Sequence, residues 1–430
     1  MCQIKKNRIF AARNFKNFCI NMKTIAIIAR ILLGIMFIFS GFVKGIDPWG
    51  STYKFIDYFT AFNMTWMHPT AFSLAIVQNA AEFVIGVALV VGLRMKETAW
   101  GALLFMGFFT PLTLVIALTN PVSDCGCFGD ALILSNWETF FKNVVMMIPT
   151  VIIFLYRKKY TPAYKPIAEW TWVAACTVIM LAISIHCYRH LPWIDFRPYR
   201  IGADIRQGRI VPEDAPGDVW VSRFIYEKND GTIQEFSEED FPWDDPDWEW
   251  RETINVLVSE GYVPPIREFN IRTLGEWDIT DEILEDQGYT FLLVAYDLNK
   301  SNKKAMQKAQ DIANYSNRHG HSFYALTAST SDVLDKTKSE LKLDYEFCIT
   351  GDVTLKTIVR ANPGLVLLQN GTVIGKWHHN DMPEVDDLKP NLLSFALDQQ
   401  AQKSKKRLNR GLLLVFALFA ATFYHFRVTE

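Results

Sequence analysis

Cys125 and Cys127 stand one glycine apart in Ser-Asp-Cys-Gly-Cys-Phe-Gly-Asp, residues 123–130 of a 430-residue chain with seven cysteines. Thiols so close can do three things. They can exchange electrons, because a bridge across two residues closes a small ring with an unusual backbone, and strained bridges are easily reduced. Gly126 supplies the backbone freedom for the ring and Gly129 for the turn after it. They can instead staple a loop as a static bridge. They can also supply two thiolates to a four-ligand metal site, although no second close cysteine pair exists to complete one. Asp124 and Asp130 flank the pair and disfavour a thiolate electrostatically.

The elements that must position these thiols are membrane helices. Half of the residues are apolar and the formal net charge is −2, which argues against both disorder and a nucleic-acid binder. Crossing a bilayer takes about 20 mostly apolar residues, and segments 24–43, 72–93, 99–118, 137–156 and 170–188 meet that length. Segment 411–426 is shorter and reads as a C-terminal hydrophobic helix, either a tilted span or an interfacial one. The basic leader, residues 1–23, runs straight into the first span without a small-residue cleavage pattern, so it reads as an uncleaved cytoplasmic segment. Lys and Arg crowd this leader and the loops at 94–96 and 157–165, whereas none lies between Lys96 and Lys142. Basic loops stay in the cytoplasm, so the Cys125 loop and everything after the fifth span face outward, where disulfides persist. The basic run 403–410 opposes this orientation, but long translocated domains weaken the charge rule.

Ionisable residues inside spans are functional candidates. Gln78 and Glu82 share a helix face one turn apart. Arg30 lies two turns inside the first span, where it snorkels or pairs with Glu82 to hold two helices together; the other reading of Glu82 is a proton or quinone site. Lys44, Asp47, Lys142 and Asn143 fall at the depth of the cysteine loop and are placed to tie it to the helix ends. Pro111 and Pro149 predict kinks that open the bundle interior to an apolar redox carrier. Of the remaining thiols, Cys2 and Cys19 belong to the leader, and Cys176 is a small buried residue. Cys187 ends the fifth span and is either packed there or within reach of the Cys125 loop.

Phe-Ile-Phe-Ser-Gly-Phe-Val-Lys-Gly-Ile-Asp-Pro closing the first span, an acid in the second, Asp-Cys-Gly-Cys-Phe-Gly-Asp after the third and Trp-Glu-Thr-Phe-Phe-Lys-Asn-Val-Val opening the fourth resemble the DoxX and MauE-like membrane proteins. The resemblance covers residues 24–156 and implies a four-helix membrane bundle similar to that of vitamin K epoxide reductase-like proteins. MauE-like members are associated with maturing a disulfide-rich periplasmic enzyme subunit, and DoxX relatives with quinone and thiosulfate chemistry, so the resemblance implies Cys125 and Cys127 as the redox pair. Vitamin K epoxide reductases use Cys-x-x-Cys; this pair has one residue fewer between its thiols, and their mechanism does not carry over.

A fifth transmembrane helix, 168–190, leads to a hairpin-containing linker region, 200–270. Within it, 223–236 reads as a hairpin turning at Asn229, Asp230 and Gly231. The acids Asp244, Asp245 and Asp247 suit a solvated loop better than a calcium loop, since Pro246 interrupts them. Segment 271–398 alternates strands and helices and ends in a hairpin, which predicts an α/β domain. Its order resembles the thioredoxin-like redoxins, with Pro363 at the place of their cis proline. The cysteine pair that should follow the first buried strand is missing from Tyr-Asp-Leu-Asn-Lys-Ser-Asn. Cys348 reads as a core residue or as a thiol near that vacant edge, and His378 and His379, on opposite strand faces, as surface residues.

The expectation is thus an α-helical membrane bundle followed by a thioredoxin-like soluble domain, in the inner membrane of a Gram-negative bacterium with that domain in the periplasm. Three functions fit: thiol-disulfide exchange with a periplasmic thiol protein or a membrane quinone, a non-catalytic binding or assembly module, and a subunit of a quinone-linked oxidase. Haem, flavin and nucleotide signatures are absent from the sequence, and apart from a quinone no cofactor is implied.

Overall fold

The computed structural model describes residues 2–122, 124–161, 164–259, 261–407 and 409, with side chains from residue 22 onward. The hydrophobic segment 411–426 and the side chains of Cys2 and Cys19 lie outside the described residues. Within a bilayer every backbone polar group must be satisfied inside the segment, so the long apolar runs become helices. These are α1 (Cys2–Ile46), α3 (Ala71–Val91), α4 (Met95–Thr119), α5 (Asn136–Tyr156) and α6 (Pro166–Arg189). Among the described residues five helices are long and apolar enough to cross a membrane, as the sequence predicts. Helices α4 and α5 run on through Pro111 and Pro149 as single elements. The chain turns out of α3 through Gly92, at φ +89°, and α5 begins on a Ser135–Glu138 capping box.

Helix α1 packs against α3, α5 and α6, and α4 packs against α5. The α1–α3 approach is set by glycine: a Cβ on Gly86 would stand 2.5 Å from the Ile38 nitrogen, and one on Gly41 2.5 Å from the Phe83 nitrogen. Small residues permit such backbone contact between membrane helices. A further helix, α2 (Pro48–Ala61), has no counterpart among the apolar runs. Asp47 caps it by accepting the Gly50 N–H at 3.1 Å, and Pro48 occupies its first turn.

Among the described residues beyond α6 lie two sheets. Strands β1 (Val219–Lys228), β2 (Ile233–Ser237) and β3 (Trp248–Ser259) form an antiparallel sheet in the order β2-β1-β3, so the predicted hairpin gains a third strand. The second sheet contains β4 (Arg272–Thr273), β5 (Tyr289–Val294), β6 (Ser322–Thr327), β7 (Glu346–Ile349), β8 (Gly364–Gln369) and β9 (Thr372–His378), in the order β4-β7-β6-β5-β8-β9. Strands β5, β6 and β7 are parallel, and β8 and β9 run antiparallel to them. Short helices α7 (Ile205–Arg209) and α8 (Thr280–Glu285) precede the sheet's main strands. Helix α9 (Lys303–His319) joins β5 to β6, α10 (Ser331–Leu341) joins β6 to β7, and α11 (Asp352–Ile358) leads to β8 through a cis Asn362–Pro363 bond. The order β6-β5-β8-β9, with α9 crossing between the parallel strands β5 and β6 and a cis proline before β8, is the expected thioredoxin-like order.

Two apolar cores sandwich the large sheet. One joins α9 to Phe291, Phe347 and Trp377; the other includes Tyr199, Ile205, Ile266 and Phe269, so parts of the linker region belong to the domain's core. The backbone of residues 202–205 bonds to the β8–β9 hairpin, which anchors the linker there.

Candidate redox site

The thiols sit where four elements converge: the end of α1, helix α2, the α4–α5 loop and the start of α5. Gly126 lies at φ +65° and Gly129 at +52°, both in the left-handed region that favours glycine. At Gly126 space matters as well, because an added Cβ would meet Lys54 Cγ at 2.9 Å. The loop is pinned from several sides. Ser40 Oγ donates to the Cys127 carbonyl at 2.6 Å, and the Tyr58 hydroxyl donates to the Cys125 carbonyl at 2.7 Å. Asp124 accepts from Lys54 Nζ at 2.7 Å and from the Gly126 N–H at 2.9 Å. At the loop's start and end, Asn136 Nδ2 donates to Asn120 Oδ1 at 2.7 Å and to the Val122 carbonyl at 2.8 Å.

Inside this frame the Cys125 and Cys127 side chains hydrogen-bond to each other. That bond pulls the Cys127 thiol down to about 6, with Lys142 and Lys44 assisting against burial. The same bond and burial push Cys125 up, so the pair places negative charge more readily on Cys127 than on Cys125. A thiolate stabilised in this way is the reactive form of cysteine. The flanking acids do not oppose it as expected, because Asp124 is engaged by Lys54 and Asp130 by Arg360 at 3.0 Å.

Both cysteines line a cavity of about 250 Å³ that reaches into the bundle. Its walls include Phe37, Phe55, Phe59, Phe105, Phe109 and Met146, and its polar groups include Lys44, Glu82, Gln78, Lys142 and Asn143. Lys44 pairs with Glu82 where both are buried. Lys142 Nζ lies 4.4 Å from the centroid of the Phe128 ring, and Asn143 Nδ2 donates to Thr113 Oγ1 at 3.1 Å. The residues singled out in the sequence at this depth are thus brought together, with three departures. Glu82 pairs with Lys44 rather than Arg30, whose guanidinium lies 5.5 Å from the centroid of the Tyr160 ring; Lys44 and Glu82 line the thiols' cavity, and Arg30, about four turns earlier in α1, does not. Asp47 points away from the cavity to Arg360 at 3.0 Å. Cys187 is buried beside the Trp193 backbone and does not line the cavity.

The soluble domain contributes no thiol here. Cys348 is fully buried on β7 between β4 and β6, and its thiol is pushed up to about 12 by burial. Pro363 opens β8 as expected, with its cis bond. His378 is buried and His379 half-buried, in contrast to the surface placement expected of them, because β9 ends under the segment after α6. The edge where a redoxin carries its cysteines instead touches α2: Tyr296, just past β5, hydrogen-bonds Tyr53, and Lys356 Nζ lies within 5.5 Å of the centroids of both rings. Arg360 clamps this junction by bonding both Asp47 and Asp130. Sequence reasoning missed Ser40, Lys54, Tyr58 and Arg360. The Asp47-Pro48 start of α2 is a helix signal that could have found two of them; Arg360 had none.

The family described as methylamine utilisation protein MauE matches residues 22–156, so the membrane half holds a MauE family domain. A second family, described as a domain of unknown function (DUF8463), matches residues 221–260, the three-stranded sheet. No curated protein matches the chain. Among solved structures, the chain is similar to the thioredoxin domain of a thiol-disulfide oxidoreductase from Bacteroides vulgatus, with 13% identity, a TM-score of 0.24 and coverage of 30% of this chain and 92% of that one. It is also similar to StoA from Bacillus subtilis, with 16% identity, a TM-score of 0.22 and coverage of 25% and 84%.

Proposed function

We propose that the chain is a membrane-bound thiol-disulfide exchange protein whose working pair is Cys125 and Cys127. The observation that carries this reading is the contact between the two thiols on the wall of an apolar cavity that also presents Lys44 and Lys142. A static staple needs neither the cations nor the cavity. In the oxidising direction a client thiolate attacks the Cys127 sulfur of the bridged pair, the Cys125–Cys127 bond breaks, and Cys125 leaves as a thiolate that takes up a proton. A second client thiolate attacks the client sulfur of the mixed disulfide. Cys127 then leaves as the stabilised thiolate, and the client keeps the new bond while the pair holds two electrons. Re-forming the bridge requires a two-electron acceptor. The aromatic cavity would hold a quinone-type carrier, with Glu82 and Lys44 as the polar groups beside it; such a carrier would supply the two-electron acceptor, while Cys125 gives up its one proton as the bridge closes and a second proton would come from solvent.

The basic loops at the far end of the bundle support an outward-facing pair under the positive-inside rule, on the periplasmic side of the inner membrane, and the soluble domain lies at the same end as the thiols. The test is the reduction potential of the pair, by thiol labelling across a redox buffer series in the purified full-length chain. A reversible two-electron transition above about −250 mV is expected of an exchange pair. Thiols that stay bridged below about −300 mV mark a staple and overturn the reading. The pinning of the loop by Ser40, Lys54 and Tyr58 favours that second reading, a membrane-anchored binding or assembly module.

A further inference from the structure

A second cavity, of about 520 Å³, lies at the junction of α6, the segment after it and the helix over residues 392–407. Its lining carries Arg200, Lys376, Lys403, Lys406 and Arg407 against the carboxylates of Asp195 and Asp381. Both carboxylates are already engaged, Asp195 by Arg197 and Lys376 and Asp381 by His190. Arg200, Lys403 and Lys406 form no ion pair among the described residues, and Arg407 donates to the Trp193 carbonyl at 2.6 Å. Like charges gathered in one concavity, two of them half-buried at Lys403 and Arg407, repel one another, and an anion held between them relieves that repulsion. Burial, with Arg407 nearby, holds the Lys403 ammonium below its ordinary range against the attraction of Asp381. A buried donor, Trp193 Nε1, also lines the cavity without a partner.

The level of the cavity limits what the anion is. It opens at His186 and His190, the last turn of a membrane span and its cap, and is flanked by exposed Ile185, Ile194 and Phe196. A tryptophan, cations and exposed apolar side chains at the end of a span are the features of a headgroup zone. We infer that this cavity binds the phosphate-bearing headgroup of an anionic phospholipid, with Arg200, Lys403, Lys406 and Arg407 on the phosphate, Trp193 Nε1 donating to it, and the acyl chains running down α6. Bound lipid would then fasten the helix over 392–407 to the bilayer beside α6.

Native mass spectrometry of the full-length chain, released from nanodiscs of phosphatidylcholine with or without phosphatidylglycerol, tests this. Wild type should retain phosphatidylglycerol in preference to phosphatidylcholine and gain thermal stability from it. Removing one charge-assisted contact, in Lys406→Gln or Arg200→Gln, should weaken retention about tenfold, while Lys405→Gln, which lies off the cavity, should change nothing. Both test residues are exposed, so neither substitution threatens folding. Equal retention of the two lipids, or retention unchanged in both variants, overturns the proposal. Stabilisation by inorganic phosphate equal to that by phosphatidylglycerol overturns the lipid assignment in favour of a small-anion site.

Discussion

At the scale of residues, a single hydrogen bond divides two chemically identical thiols. Because Cys125 keeps the proton and Cys127 faces Lys142 and Lys44, reactivity should be unequal. The sign follows from the direction of the shift: a thiol held low is a thiolate at every pH above its midpoint and loses that form as pH falls through about 6. A Cys125→Ala chain has no donor at this position, so its pH profile for alkylation of Cys127 by iodoacetamide should move upward from that of wild type. Lys142→Met should shift the wild-type midpoint upward by about 1 unit, since loss of an opposite charge disfavours the anion. An unmoved profile in both variants would show that neither the bond nor the cation sets the thiolate.

At the scale of elements, the α1–α3 contact and the Arg360 clamp do the positioning. Gly86→Ala puts a methyl 2.5 Å from the Ile38 nitrogen, backbone that has nowhere to retreat without parting the helices. Overpacking of this kind costs about 1–3 kcal/mol, readable as a lowered melting temperature in detergent. Gly107→Ala, with nothing within 4 Å of the added carbon, is the matched control and should melt like wild type. Arg360→Met strands Asp47 and Asp130 at the junction of the two halves. Breaking a buried pair costs about 3–5 kcal/mol, and the lower end applies because the Asp130 side chain is 38% exposed. Hydrogen exchange in residues 125–131 should quicken in that variant; unchanged exchange would mean that the soluble domain does not steady the cysteine loop.

At the scale of the whole molecule, the thiols are approached from two directions that differ in polarity. From the soluble side they lie under α2, the Tyr58 and Lys54 contacts and the docked domain; from the bundle they border an apolar cavity. An uncharged maleimide should therefore label the reduced pair faster than a permanently charged thiosulfonate, even though the latter is at home in water. Arg360→Met should narrow the difference by loosening the covered side. Equal rates in the wild-type chain would argue that solvent reaches the thiols directly.

Much of this architecture is a local matter and so is legible in the chain. Apolar length alone dictates α1, α3, α4, α5 and α6, because a bilayer admits few other solutions, and alternating strand and helix patterns with Gly320 and Asn370-Gly371 as punctuation yield β5 to β9 in order. The Cys-Gly-Cys spacing likewise announces a left-handed turn between two thiols. What the sequence could not decide depends on distance through space. Glu82 has two intramembrane cations to choose from, and only the packing of α1 on α3 selects Lys44 over Arg30. Asp124 and Asp130 look like repulsive neighbours of the thiols until Lys54, 70 residues away, and Arg360, 230 residues away, are folded against them. Charge in a sequence carries a sign but no partner, and Cys127 is held low because the tertiary structure supplies Cys125, Lys142 and Lys44 beside it.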